Sequence, residues 1–321
     1  MASSRRRTRL APSPTGALHL GNARTFLANY LLARQNQWQI VLRIEDLDGP
    51  RIKAGADLQA IEDLRWLGIS WDEGPHYQAP RMPRYQKAVD ELLNRGFAYP
   101  CVCTRREVES AASAPHPEDG STVYPGTCRD RFSSLEAARQ ISGREPAIRF
   151  RVPDEPFAFV DEFAGEQRCA LAQVLGDFVI QKSDGTAAYQ LAVVVDDAEA
   201  EITDIVRGDD LLDSVPRQVL LYRAMGWEDR VPVYTHLPLV VGTDGRRLAK
   251  RHGDTRLSFY REMGTSPSRI LSLLARWLNI PTSAEPRCAD DLVGGFDLRR
   301  LSAAQITFTT NDDAFLRGQS K

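Results

Sequence analysis

The chain has 321 residues, enough for two or three domains with apolar cores, and 41 Lys and Arg against 43 Asp and Glu leave it close to neutral. That balance excludes a protein that binds nucleic acid by overall positive charge, so any RNA contact has to use a local basic surface. No apolar run reaches the length of a membrane span and no apolar segment follows the basic start, which reads as a cytoplasmic protein with no membrane partner.

The first predicted element is a short strand at 8–11, joined to a helix at 20–33 by the turn Pro12-Ser13-Pro14-Thr15-Gly16. Pro12 and Pro14 stiffen the turn, while Gly16 and Gly21 permit close backbone approach. A helix beginning here is expected to present first-turn N–H groups and the positive end of its dipole to a polyphosphate, with His19 as the side-chain donor. Neither of the two common glycine-rich nucleotide motifs is present. Instead, the proline-rich turn followed by His19-Leu20-Gly21-Asn22 resembles the first signature of class I aminoacyl-tRNA synthetases, in the form found in the glutamate and glutamine enzymes. The expected fold class is therefore α/β, a Rossmann-type parallel sheet.

Residues 37–48 predict a buried strand ending in acids, since 40–44 is largely β-branched and apolar. Its Arg43-Ile44-Glu45-Asp46 end matches an element of the same subgroup, and ligands gather outside the carboxyl ends of such strands. Helices are predicted at 53–67 and 81–95, separated by a turn at 71–75.

Composition changes near residue 96 to aromatics, cysteines and prolines, which predicts an inserted α+β subdomain over 96–187 between catalytic halves at 1–95 and 188–256. The five cysteines are an odd number, three of them within 28 residues, and this argues against a disulfide framework. Cys101, Cys103 and Cys128 offer three of the four ligands of a structural Zn2+ site. On chemistry alone the fourth is open between His116, the more usual ligand, and Tyr124. The Cys-x-Cys and Tyr-x-x-x-Cys arrangement resembles that of the glutamyl-Q tRNA(Asp) synthetase family, truncated relatives of glutamyl-tRNA synthetase, and this resemblance implies Tyr124. Cys169 and Cys288 have no partners in sequence and are expected in the core.

Short strands are predicted within 147–175 and a hairpin within 176–185. The runs 188–197 and 202–210 then read as parallel strands with polar ends. Both resemble the glutamate subgroup, which implies Tyr189 and Arg207 in the amino-acid pocket. After an apolar strand at 237–241, the basic loop 242–253 resembles the second class I signature, Lys-Met-Ser-Lys-Ser, with Arg247-Leu248-Ala249-Lys250-Arg251 in register. Lys250 is retained; Arg247 and Ala249 replace its first lysine and its first serine. Helical spacing at 269–278 and a further helical start at 296–301 predict a short C-terminal helical region over 257–321, after which no residues remain for an anticodon-binding domain.

The resemblance implies ATP-dependent activation of L-glutamate and transfer to queuosine in tRNA(Asp); separately from it, a monomer is expected. It implies His19 and Lys250 as catalytic, and His19, Gly21, Asn22 and Lys250 at ATP with its Mg2+. Arg9, Ala11, Ser13, Glu45, Tyr189 and Arg207 are then expected at glutamate. The alternatives are a shortened glutamyl-tRNA synthetase charging tRNA(Glu), or a non-catalytic synthetase-like protein that binds RNA or senses an amino acid.

Overall fold

The structure, a computed structural model, describes residues 5–111, 123–171, 175–246, 248 and 253–319. Five strands form an all-parallel sheet: β1 (Arg7–Leu10), β2 (Gln39–Ile44), β3 (Glu73–Tyr77), β9 (Asp204–Gly208) and β10 (Val233–Leu237), in the spatial order β10-β9-β1-β2-β3. Winding outward on both sides of β1 makes this a doubly wound arrangement, and its topological switch point lies between β1 and β9. Between β3 and β9 the chain adds an antiparallel sheet of β4 (Ala98–Cys101), β5 (Ala147–Phe150) and β8 (Val179–Gln181), and a hairpin of β6 (Pro156–Asp161) and β7 (Gly165–Ala170). The tight turn after β8 closes through the Lys182 N–H donating to the Thr186 carbonyl at 2.8 Å.

Strand alternation divides the core between the two faces of the parallel sheet. Leu10, Ile40, Leu42, Ile44, Val206 and Leu237 pack on one face against α1 (Leu20–Gln35), α2 (Ala56–Trp66) and the C-terminal helix Pro267–Trp277. Val41, Ile205 and Tyr234 share the other cluster with α3 (Met82–Asn94), the helix Val215–Ala224 and residues Ile148, Phe150 and Ile180 of the antiparallel sheet. The second sheet is thus packed into the same hydrophobic body as the first.

Four expectations need correction. Residues 188–197 are not a strand: Tyr189–Glu199 is a helix, buried continuously from Leu191 to Ala198. The segment at 71–75 is not simply a turn, since β3 begins at Glu73 and pairs with β2 as an exposed edge strand. A Cβ on Gly74 would meet the Leu42 carbonyl oxygen at 2.3 Å, so this strand approaches its neighbour only with glycine there. Cys169 and Cys288 are partly buried rather than enclosed in the core. The helical start at 296–301 is a single 3-10 turn, Leu298–Arg300. Among the described residues no helix is long and apolar enough to cross a membrane.

Candidate active site

A cleft of about 620 Å3 opens outside the carboxyl ends of β1, β2 and β9. Its walls include Arg9, Ala11, Ser13, His19, Gly21, Asn22, Glu45, Tyr189 and Arg207, so the structure brings together every described residue expected at glutamate or ATP. The turn at 12–16 is stitched to its surroundings by backbone: the Glu45 N–H donates to the Pro12 carbonyl (3.1 Å) and the Lys53 N–H to the Pro14 carbonyl (3.0 Å).

His19 is the N-cap of α1. Its Nδ1 accepts from the N–H groups of Gly21 (3.1 Å) and Asn22 (3.3 Å), while the Asn22 side chain caps the His19 N–H in return. With Nδ1 an acceptor, the neutral ring carries its proton on Nε2. The remaining first-turn N–H groups also have partners, Leu20 on the Thr255 carbonyl and Ala23 on the His19 carbonyl, both at 3.0 Å. The expected backbone cradle for phosphate is therefore already engaged within the chain, and the imidazole stands where the backbone was expected to serve. A Cβ on Gly21 would sit 3.0 Å from two atoms of that ring, which explains the glycine.

Lys250 lies outside the described residues, as do Arg247, Ala249, Arg251 and His116. The described flanks of the basic loop nevertheless lead to α1. Val240 lines the cleft, Leu248 is buried in the cluster that holds Leu18 and Leu20, and Leu257 N–H donates to the Leu18 carbonyl at 2.9 Å. His19 and Arg256 form an antiparallel bridge.

On the sheet face beneath the helix Tyr189–Glu199, alternate strand positions bury Arg9, Arg43, Arg207 and His236. Asp197 of that helix ion-pairs with Arg43 and stands 3.6 Å from the Arg9 Nε. Arg43 also holds Glu45 at 3.0 Å, and Ser13 Oγ approaches the other Glu45 oxygen at 3.5 Å. Burial lowers the Arg9 pKa against the pull of Asp197, with Arg43 and Arg207 acting in the same direction as burial. The guanidinium stays charged, and a bound carboxylate would relieve the crowding of cations. Burial, reinforced by Glu45, raises the Tyr189 pKa and keeps its hydroxyl a donor, although 38 % of the residue's surface remains open.

Arg207 is held from behind. Its Nε donates to His236 Nε2 (2.8 Å), and its Nη2 donates to Gln218 Oε1 (3.1 Å) and the Leu211 carbonyl (3.2 Å). His236 Nδ1 lies 2.6 Å from Asp161 Oδ2. Asp161, His236, Gln218 and Asp197 were not among the residues expected in the site. A polar residue at an inward strand position, as His236 is in β10, was the available signal.

A second constellation lies in the antiparallel region. The sulfurs of Cys101, Cys103 and Cys128 fall within 4.8 Å of one another, with Cys103 and Cys128 3.4 Å apart. Zinc bonds of about 2.3 Å in a tetrahedron place sulfurs about 3.8 Å apart, so this cluster can hold a metal such as zinc. Tyr124 Oη joins it, 3.4 Å from Cys101 Sγ and 3.5 Å from Cys103 Sγ. The Arg149 guanidinium stacks 3.8 Å from the Tyr124 ring centroid, and its Nε donates to Cys101 Sγ at 3.3 Å, which suits anionic ligands.

The family described as tRNA synthetases class I (E and Q), catalytic domain, matches residues 6–311. The chain is 45 % identical over 319 residues to a Symbiobacterium thermophilum protein named glutamyl-Q tRNA(Asp) synthetase, covering 97 % of this chain and 98 % of that one. A Rhodopirellula baltica protein of the same name is 51 % identical over 280 residues, covering 84 % of this chain and 83 % of that one. Among solved structures, a glutamate tRNA ligase from Elizabethkingia meningosepticum, in complex with its amino acid, superimposes with a TM-score of 0.81 at 29 % identity; the match covers 98 % of this chain and 69 % of that one.

Proposed function

The chain belongs to the class I tRNA synthetases of the E and Q type, and from that membership we propose that it activates L-glutamate with ATP and transfers the glutamyl group to queuosine in tRNA(Asp). The observation that carries this reading is the meeting of Arg9, Glu45, Tyr189 and Arg207 in the cleft that also holds His19. Two guanidinium groups read the side-chain carboxylate by charge-assisted hydrogen bonds, and Tyr189 adds a hydroxyl. Glu45 attracts the α-ammonium, and Ala11 and Ser13 line the same wall. Glutamine is disfavoured because its amide turns N–H groups toward guanidinium.

The α-carboxylate of glutamate attacks the α-phosphorus of ATP, forming the acyl phosphate bond as pyrophosphate leaves. A hydroxyl of the cyclopentenediol then attacks the acyl carbon, and AMP departs. His19 and Lys250 stabilise the charge that grows on the phosphates, and Gly21 and Asn22 hold the imidazole in place. Mg2+ shields the triphosphate when bound. The neutral Nε2–H tautomer supports the role of His19, and the tethered flanks of the basic loop support that of Lys250.

Residues 1–95 and 188–256 are read as halves of one catalytic domain, with 96–187 inserted and 257–321 a helical region. The crossing of the chain from β3 to β9 through a separate antiparallel sheet supports that division. Cys101, Cys103, Tyr124 and Cys128 are read as the ligands of one structural zinc. Metal analysis of the purified chain is expected to give one zinc per molecule, and Cys103→Ser to abolish it with a lowered Tm; unchanged stoichiometry in that variant excludes the assignment. The protein is read as a cytoplasmic monomer.

The function is tested by pyrophosphate exchange with glutamate and ATP in the absence of RNA, followed by glutamylation of tRNA(Asp) with and without queuosine. Exchange without tRNA and labelling that requires queuosine are expected. Labelling of tRNA(Glu) alone overturns the proposed acceptor.

A further inference from the structure

We propose that Asp161 and His236 form a positioning relay that aims Arg207 at the amino acid, so that affinity for glutamate depends on which imidazole nitrogen carries the proton. The inference rests on the reading that Arg207 meets a glutamate carboxylate. Its basis is a buried line of three polar side chains from three different strands, of which only Arg207 reaches the cleft. Asp161 ends β6, His236 lies in β10 and Arg207 in β9, with Asp161 and His236 each 1 % exposed.

Each link allows one protonation pattern. Arg207 Nε–H can only donate, so His236 Nε2, 2.8 Å away, must be the acceptor. The imidazole proton then sits on Nδ1 and donates to Asp161 Oδ2 at 2.6 Å. Asp161 cannot swing away, because its Oδ1 accepts from the backbone N–H groups of Phe163 (3.0 Å), Ala164 (2.8 Å) and His236 (3.1 Å). The hairpin β6–β7 is thereby tied to the parallel sheet at the residue that sets the tautomer.

The charged and titratable groups facing His236 are Asp161 from the hairpin, Arg207 from β9 and Arg9 from β1; Tyr234 of its own strand stacks at 6.2 Å between centroids. Burial, opposed by the hydrogen bond to Asp161 and reinforced by Arg207, holds the His236 pKa below its ordinary value. The ring therefore stays a neutral acceptor at physiological pH. With Nε on His236 and Nη2 on Gln218 and Leu211, the guanidinium is held at two corners, and Nη1 is the corner without a partner among the described residues. Apolar side chains would fill the same space at a lower desolvation cost. A line of buried polar groups that ends on a cleft-lining guanidinium is better explained by orientation than by stability.

The test compares His236→Gln, His236→Phe and Asp161→Asn with the unmodified full-length chain in pyrophosphate exchange, with thermal unfolding as a check on folding. His236→Gln retains an acceptor for Arg207 and is expected to keep the glutamate KM within a few fold. His236→Phe removes the acceptor. Asp161→Asn offers the ring a donor at Nδ1, which moves the proton to Nε2 and opposes it to Arg207 Nε–H. Both are expected to raise the glutamate KM about tenfold or more while the ATP KM stays within about twofold. Independently of activity, the imidazole 15N resonances lost in His236→Gln are expected to report an Nδ1–H tautomer in the unmodified protein. Equal changes in both KM values, no change, or an Nε2–H tautomer overturns the relay while exchange by the unmodified chain leaves the function standing. Absence of that exchange overturns the function, and the relay with it.

Discussion

Arg9→Ala is expected to raise the KM for glutamate about a hundredfold while the KM for ATP changes little. Hydrogen bonds to charged groups contribute ~1.5–3 kcal/mol each, and a guanidinium that meets a carboxylate with two of them accounts for a change of that size. Arg9 is 5 % exposed and Asp197 stands 3.6 Å from its Nε, a nitrogen that makes no hydrogen bond among the described residues. Its removal leaves Asp197 paired with Arg43, so the fold loses less than the substrate does. Arg9→Lys is a further discriminator. It keeps the charge but not the planar fork, and the glutamate KM should still rise by more than tenfold. Exchange kinetics with each substrate varied in turn provide the check. Equal increases for glutamate and ATP would remove Arg9 from the amino-acid seat.

Much of this seat was legible because strand ends in a parallel sheet concentrate chemistry. Arg9, Glu45 and Arg207 each lie at or next to the carboxyl end of an apolar run, and the sheet order brings those ends side by side. Period-two alternation also explains why arginines can sit inside such runs. Arg9, Arg43 and Arg207 are buried on the face opposite Leu10, Leu42 and Val206, where Asp197 of the overlying helix meets Arg9 and Arg43 and the neutral groups His236 and Gln218 meet Arg207.

That overlying helix was misread as a strand, and the reason is physical. Val193, Val194 and Val195 are β-branched, and with eight consecutive buried residues the segment shows no polar face from which a helical period could be read. Tertiary packing between the sheet and the helix Val215–Ala224 overrides the propensity. Even so, placing Tyr189 at the helix start preserves its access to the cleft. Asp161 and His236 escaped notice for a different reason. They are 75 residues apart in the chain, and nothing local in either segment announces the other. The edge strand β3 was hidden by its own composition: Glu73, Gly74 and Pro75 are turn formers, tolerated here because one side of the strand has no neighbour in the sheet.

The largest loss of turnover is expected from His19, and the capping geometry makes the measurement separable from folding. His19→Ala removes both the cap and the Nε2–H donor. Loss of an N-cap costs ~0.5–2 kcal/mol of stability, and loss of a donor aimed at developing charge costs ~3 kcal/mol of activation free energy, on the order of a hundredfold or more in kcat. His19→Asn divides the two. Asparagine is among the best N-caps, and the extended backbone at residue 19, with φ −107° and ψ 167°, lets its side-chain oxygen accept from the N–H groups of Gly21 and Asn22 in place of Nδ1. It is too short to reproduce Nε2–H. The Asn variant should therefore unfold near the wild-type temperature yet lose kcat about as severely as the Ala variant, with the glutamate KM nearly unchanged. If the Asn variant instead retains turnover, His19 serves only to start the helix, and stabilisation of the departing pyrophosphate must come from elsewhere in the cleft.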